Sequence, residues 1–333
     1  MAYDSEQGNI LMAFGGEAMI SRALRPFSEP PFLAIRDLLQ SCDVRFVNGE
    51  MLFHDYQDPP TYLSQTYMRC DPRLIGDLQW FGVNLLSTAN NHAYDFGENG
   101  VLTNVESLDR ANLVHAGTGK NLAEAARPAY LDTANGRVAL VSATSSGRAN
   151  SRAGEQRRDL PGRPGANLIR WINEWTVDDA AFHALNGVAQ QFGWGRRFPS
   201  WWARDYGFES DAADEVVSFA DRNSLGVGSE DLAARFRRGD RFERHSRIHQ
   251  TDLARNVQSV AEARRMADWV IFSIHAHEGG VQDDDPADHI RTLAHAVIDA
   301  GADAVVGHGP HRDRGIEIYR ERPIFYALGN FIM

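Results

Sequence analysis

Short apolar runs recur along this chain, and most of them stop at a residue with chemistry to offer. Ile10–Phe14 runs into Gly15-Gly16-Glu17, and Val44–Val47 into Asn48-Gly49-Glu50. Asn84–Ser87 leads to Ala89-Asn90-Asn91-His92, with Asp95 close behind. Trp269–Ile274 runs into His275-Ala276-His277-Glu278, and Ala302–Val306 into Gly307-His308-Gly309-Pro310-His311. Such runs, bounded by glycine and polar residues, read as buried strands. Val138–Ser142 reads as another strand, and Gly315–Tyr319 with Pro323–Leu328 as a hairpin. Helical patterns lie between them: Asp71–Trp80, Asn99–Ala111, and a helix opening at Thr251 with Leu253, Val257, Val260 and Ala261 on one stripe. A last helix carries Ile290, Leu293, Ala294, Val297 and Ile298 and closes at Gly301. Strand and helix alternate in both halves, which predicts an α/β layered fold. We read all 333 residues as a single such domain.

The middle departs from this pattern. From about 146 to 250 the alternation breaks, and we read an insertion, mostly helical, over the core. Residues 148, 152, 157, 158, 163 and 170 are arginines, against the acids Glu155 and Asp159. Trp171, Trp175, Trp194, Trp201 and Trp202 all lie here. One reading is a helical decoration whose tryptophans form its own small core. The other is a lid whose arginines, Arg148 and Arg163 among them, meet an anionic substrate.

Charge and cysteines narrow the possibilities. A formal net charge of −11 argues against a nucleic-acid partner, which wants a basic face. Cys42 and Cys70 form no Cys-x-x-Cys pattern, so neither a disulfide framework nor a thiolate zinc site is expected. No run is long enough to span a bilayer, and no basic stretch precedes the first apolar run. A cytoplasmic protein is the expectation. The chain stops just after Leu328-Gly329-Asn330-Phe331, which on this reading leaves a strand edge unpaired and suggests a trimmed or missing tail.

The strand ends carry the chemistry. In layered α/β folds, sites gather where strands end, because the loops there share one crevice. Each end has a plain reading alone: Gly-Glu as a turn, Asn-Asn-His as an Asx turn beside a satisfied histidine. Together they form a set of imidazoles, carboxylates and amides. That set suits Mn, Zn or Fe better than Ca, which takes oxygen only. Gly309 and Pro310 fix a turn that aims His308 and His311 into one crevice.

The ordered motifs Gly-Glu-x-Met, Asn-x-Glu, Ala-Asn-Asn-His-x-x-Asp-x-Gly, His-x-His-Glu, Gly-His-x-Pro-His and Tyr-x-Leu-Gly-Asn-Phe resemble those of the CapA family. These are poly-γ-glutamate capsule biosynthesis proteins of the calcineurin-like metallophosphoesterase superfamily. The resemblance covers residues 10–145 and 250–333, and GRPGANLIR at 162–170 is similar to one branch. It implies a four-layer α/β/β/α sandwich with metal-binding loops at one edge, holding one or two divalent ions. Glu17 and Glu50 would be acidic ligands, Asn91 an amide ligand, and His275, His308 and His311 imidazole ligands. His277 or Glu278 would complete the set. His92, oriented by Asp95, would act beside the substrate.

The family's first motif usually reads Gly-Asp. Here it is Gly16-Glu17, so one well-held ion and a weak or absent second are expected. The resemblance implies a metal-dependent hydrolase acting on an anionic small molecule or polymer, either a phosphoester or a γ-glutamyl amide by hydrolysis or acyl transfer. The alternative is a non-catalytic capsule or polymer assembly and export protein with a degenerate site. It also allows association with the cell envelope.

Overall fold

Glu17, Asn48 and Asn330 sit side by side across three parallel strands, and this register organises the first part of the fold. The computed structural model describes residues 8–61, 66–192, 205–206, 215–219, 234–280 and 284–333. Trp194, Trp201 and Trp202 lie outside these. The chain folds into two compact units: Met1–Leu168 with Arg255–His277 and Ala294–Met333, and Ile169–Ala254 with Glu278–Leu293. Residues 146–168 thus fold with the first unit.

The first unit is a mixed α/β structure built on two sheets. The five-stranded sheet runs in the order Asn330–Ile332, Met12–Ala18, Val44–Gly49, Leu85–Ser87, Val114–Ala116. All its neighbours are parallel. The six-stranded sheet places Gly136–Thr144, Trp269–His275, Ala304–His308 and Arg322–Phe325 in parallel, and an antiparallel strand flanks each side. Val44, Phe46 and Leu85 of one sheet pack with Val138, Leu140, Ile271 and Val306 of the other in a shared core. Full burial of each such side chain contributes about 1.5–3 kcal/mol. The other face of the five-stranded sheet, through Val47 and Leu86, meets Leu39, Leu78, Phe81 and Leu108 of its helices.

Most of the predicted elements form, with shifted ends. The first strand does not stop at Gly15. The register slips between Phe14 and Glu17, a bulge that carries the strand through both glycines to Ala18. The helix Pro30–Gln40, which the pattern analysis did not find, starts on two prolines whose missing N–H groups cost nothing in a first turn. The last strand, Asn330–Ile332, pairs with Met12–Ala18 and is an outer strand of its sheet, with its other edge unpaired among the described residues. Cys42 and Cys70 are free and buried.

The second unit corrects the expectation of a mostly helical insertion. Its described residues form a four-stranded sheet, ordered Val216–Phe219, Ala234–Arg238, Trp171–Val177, Glu243–Ile248. The helix Asp179–Gln191 packs on it through Phe182 and Ala189. WINEWTV is rich in β-branched and aromatic residues, which favour a pleated surface over a helix. Glu174, buried in that strand, joins Arg235, Arg237 and Arg247 of its neighbours. Trp171 stacks on His289 and Trp175 on Phe236, so these two tryptophans serve the unit's own packing. Among the described residues no helix is long and apolar enough to cross a membrane.

Candidate metal centre

Parallel strands send their carboxyl ends the same way, and in both sheets the site residues lie at those ends. The bulge at Gly15-Gly16 aims Glu17 inward, where the carboxylate is fully buried. Asn48 Nδ2 donates to Glu17 Oε2, and the backbone N–H of Gly309 donates to Oε1 at 2.6 Å. Asn48 Nδ2 also lies 3.2 Å from His275 Nδ1. In the second sheet His275 and His308 are register partners, so the two imidazoles leave neighbouring strands at one level.

Glu50 stands at the centre. His275 Nε2 lies 3.8 Å and His277 Nε2 3.9 Å from its Oε1. His311 Nδ1 lies 3.7 Å from Oε2, and His92 Nε2 4.0 Å from Oε1. Glu50, His277 and His311 each offer one ligand atom, all within 4.8 Å of one another. His311 owes its position to a left-handed backbone, φ 56°, and to Nδ1–H donating to Asn330 Oδ1 at 2.9 Å. The His277 backbone is pinned at both ends: its N–H donates to Ser146 Oγ at 2.6 Å, and Arg314 donates to its carbonyl.

His92 is held differently. Its Nδ1–H donates to Asp95 Oδ2 at 2.7 Å, and the same oxygen accepts from Met68 N–H at 2.7 Å. This fixes the tautomer and leaves Nε2 toward Glu50. Asn91, His92 and Arg148 line one cavity of about 360 Å³. Arg163 instead donates to the Arg152 carbonyl at 2.6 Å. Glu278 belongs to the second unit, on a cavity of about 270 Å³ with His245, Asp288 and Arg291. Sequence reasoning did not single out Asn48 or Asn330. Both lie inside quoted motifs, but their roles depend on which strands become neighbours.

The electrostatics point one way. Burial pushes the Glu17 carboxyl up to about 7, against the opposing hydrogen bonds from Asn48 and Gly309. Burial, and then the charge of Glu17, pushes Glu50 up to about 9. Burial drives His277 down to about 4 and His308 to about 3, and holds His275 well below the usual imidazole range. Neutral imidazoles are the form that binds metal.

The protein's own hydrogen bonds leave this cluster incomplete. Both Glu50 oxygens, Asn91 Oδ1, His275 Nε2 and both nitrogens of His308 are buried without a hydrogen-bond partner. Orphaned lone pairs of this kind are costly unless something satisfies them. A divalent cation would satisfy carboxylate and neutral imidazole lone pairs together, and these residues have the chemistry to hold one.

Comparison with known proteins agrees with the motifs. The model of the bacterial capsule synthesis protein family PGA_cap matches residues 11–333. The chain belongs to this family. An uncharacterized protein of Sinorhizobium fredii is 35% identical over 320 residues, which are 95% of this chain and 64% of that protein. The "PGA biosynthesis protein CapA" of Bacillus subtilis is 46% identical over 76 residues, 23% of this chain and 20% of its own length. The "Capsule biosynthesis protein CapA" of Bacillus anthracis is 42% identical over 66 residues, 20% of this chain and 16% of its own. The chain spans less than two-thirds of the length of these curated relatives.

Proposed function

We propose that this PGA_cap family member is a metal-dependent hydrolase acting on an anionic substrate, a phosphoester or a γ-glutamyl amide by hydrolysis or acyl transfer. The observation that carries this reading is the set of buried, partnerless donors around Glu50. Glu50, His277 and His311 would hold the ion, with His275, His308 and Asn91 completing the site. An ion held there would supply Lewis acidity to a phosphoryl or acyl oxygen and would acidify a water near neutral pH. His92, fixed through Nδ1 by Asp95, presents Nε2 to protonate a leaving group or to hold developing negative charge. The two sheets sharing one core support assignment of the first unit to the four-layer α/β/β/α sandwich of metallophosphoesterases. The relatives' names support a substrate or partner in capsule or poly-γ-glutamate synthesis at the cell envelope.

Glu17 favours one ion over two. Its two oxygens already accept from Asn48 and Gly309. The same observation is the one that favours the second reading, a non-catalytic assembly or export protein with a degenerate site.

Metal analysis of protein purified without chelator tests the proposal. We expect about one Mn, Zn or Fe ion per chain, lost in His308→Ala together with activity on phosphoesters or γ-glutamyl amides. His308→Ala should stay folded. A chain that takes up neither Mn nor Zn rules the mechanism out. Asp95→Asn separates metal binding from proton transfer. It should keep the metal and lower kcat about 10²–10⁴-fold, by loosening the His92 tautomer. Unchanged kcat in that variant would remove His92 from the chemistry.

A further inference from the structure

The cavity beside His92 has walls of two kinds. Some of its polar side chains are already committed. Thr61 Oγ1 donates to the Asp95 carbonyl, and Ser151 Oγ donates to the Arg148 carbonyl at 2.7 Å. Others have no such commitment. The Tyr94 hydroxyl, the Arg148 guanidinium and the Asn150 amide line the same cavity and make no hydrogen bond or ion pair among the described residues. Arg148 is exposed, and Tyr94 and Asn150 are half-buried. Burial raises the Tyr94 phenol above its ordinary range, so at neutral pH its hydroxyl is a donor.

We propose that this wall is a subsite for a single carboxylate of the substrate, with Arg148 opposing its charge and Tyr94 and Asn150 donating beside it. The inference rests on reading His92 as part of a reactive centre and names the group that centre's substrate presents. The charge count selects a carboxylate over a phosphate. One guanidinium with neutral donors matches one negative charge. A phosphate dianion held at this wall calls for a second cation there. Arg163, whose charge acts on Tyr94, does not line the cavity, and its guanidinium donates to the Arg152 carbonyl. Asp95, on the His92 side, sets a further bias against a dianion. A volume of about 360 Å³ lies at the small end of ligand sites, with room for an acyl group the size of an amino-acid residue.

Calorimetric binding to the whole chain tests this without requiring turnover. The probes are γ-glutamylglutamate, its fully amidated analogue and inorganic phosphate. The variants are Arg148→Gln, Arg148→Lys and Asn150→Ala, each checked for unchanged metal content. The dipeptide should bind wild type, and amidation or Arg148→Gln should each weaken binding about 10–100-fold. Arg148→Lys should fall between, and Asn150→Ala should lose several-fold. Arg148→Gln binding the dipeptide like wild type overturns the subsite. So does a wild type that ignores the dipeptide, or phosphate binding more tightly than the dipeptide through Arg148. Arg148-dependent binding without any cleavage upholds the subsite and removes the hydrolase reading instead.

Discussion

Glu50→Gln is expected to lose the metal and yet, in chelator, to be more stable than wild type. Glu50 is fully enclosed, no N–H reaches its carboxylate, and Glu17 lies beside it. Its carboxyl is pushed up to about 9, far above the range of an unfolded chain. A folded state that holds a proton the unfolded state releases loses stability as pH rises. For Glu50 the loss begins near pH 4.5 and is complete near pH 9. Glutamine carries no charge and brings an N–H that a neighbouring carboxylate accepts. In chelator, the variant's unfolding midpoint should therefore match wild type near pH 5 and exceed it increasingly toward pH 9. With Mn or Zn added the order should reverse, because an ion bound only by the folded state stabilises wild type by mass action. Thermal unfolding across pH, with and without metal, measures both. Equal metal-induced shifts in the two proteins would remove Glu50 from the centre.

The same physics explains which parts of this site were legible in the sequence. A buried strand must be apolar until it exits, so His275, His308 and Glu50 stand out simply because they follow Trp269–Ile274, Ala302–Val306 and Val44–Val47. Parallel pairing then sets His275 beside His308, and the core shared by the two sheets brings the Glu50 exit to them. Asn48 and Asn330 were harder. Each is an amide inside a strand end, and each acts only because its strand lies next to Met12–Ala18. Register between distant segments leaves no local trace in either strand.

Glycine produced the boundary errors. Gly15-Gly16 looks like a strand terminator, yet here it is a bulge inside one, because another backbone passes too close for a side chain. Pro30-Pro31 opens a helix that the apolar pattern leaves unmarked. The second unit was misread for another reason. Its strands come from segments far apart in the chain, and Arg235, Arg237 and Arg247 converge on Glu174 from neighbouring strands, a pattern with no local period.

Gly16→Ala should therefore be among the most damaging single methyl groups this chain can receive. A Cβ at Gly16 would stand 1.9 Å from the Gly329 carbonyl oxygen and 2.7 Å from that of Leu328. Both obstacles are backbone, so no rotamer change relieves them. The Gly329 carbonyl also accepts from Glu17 N–H at 2.9 Å, and moving it breaks that bond and the pairing of Glu17 with Asn330. Overpacking alone costs about 1–3 kcal/mol, and the lost buried hydrogen bond adds to it, so about 3 kcal/mol or more is expected. Gly315→Ala is the control. It has open space around its Cβ and should change stability by no more than about 0.5 kcal/mol. The damage should also reach the metal. Asn330 holds His311, and His311 faces Glu50, so displacing Gly329 loosens a ligand as well as a strand. Urea unfolding gives the first effect, and metal affinity of the still-folded variant gives the second. A Gly16→Ala protein with the midpoint and metal affinity of wild type would mean that the opening and closing strands do not meet as described.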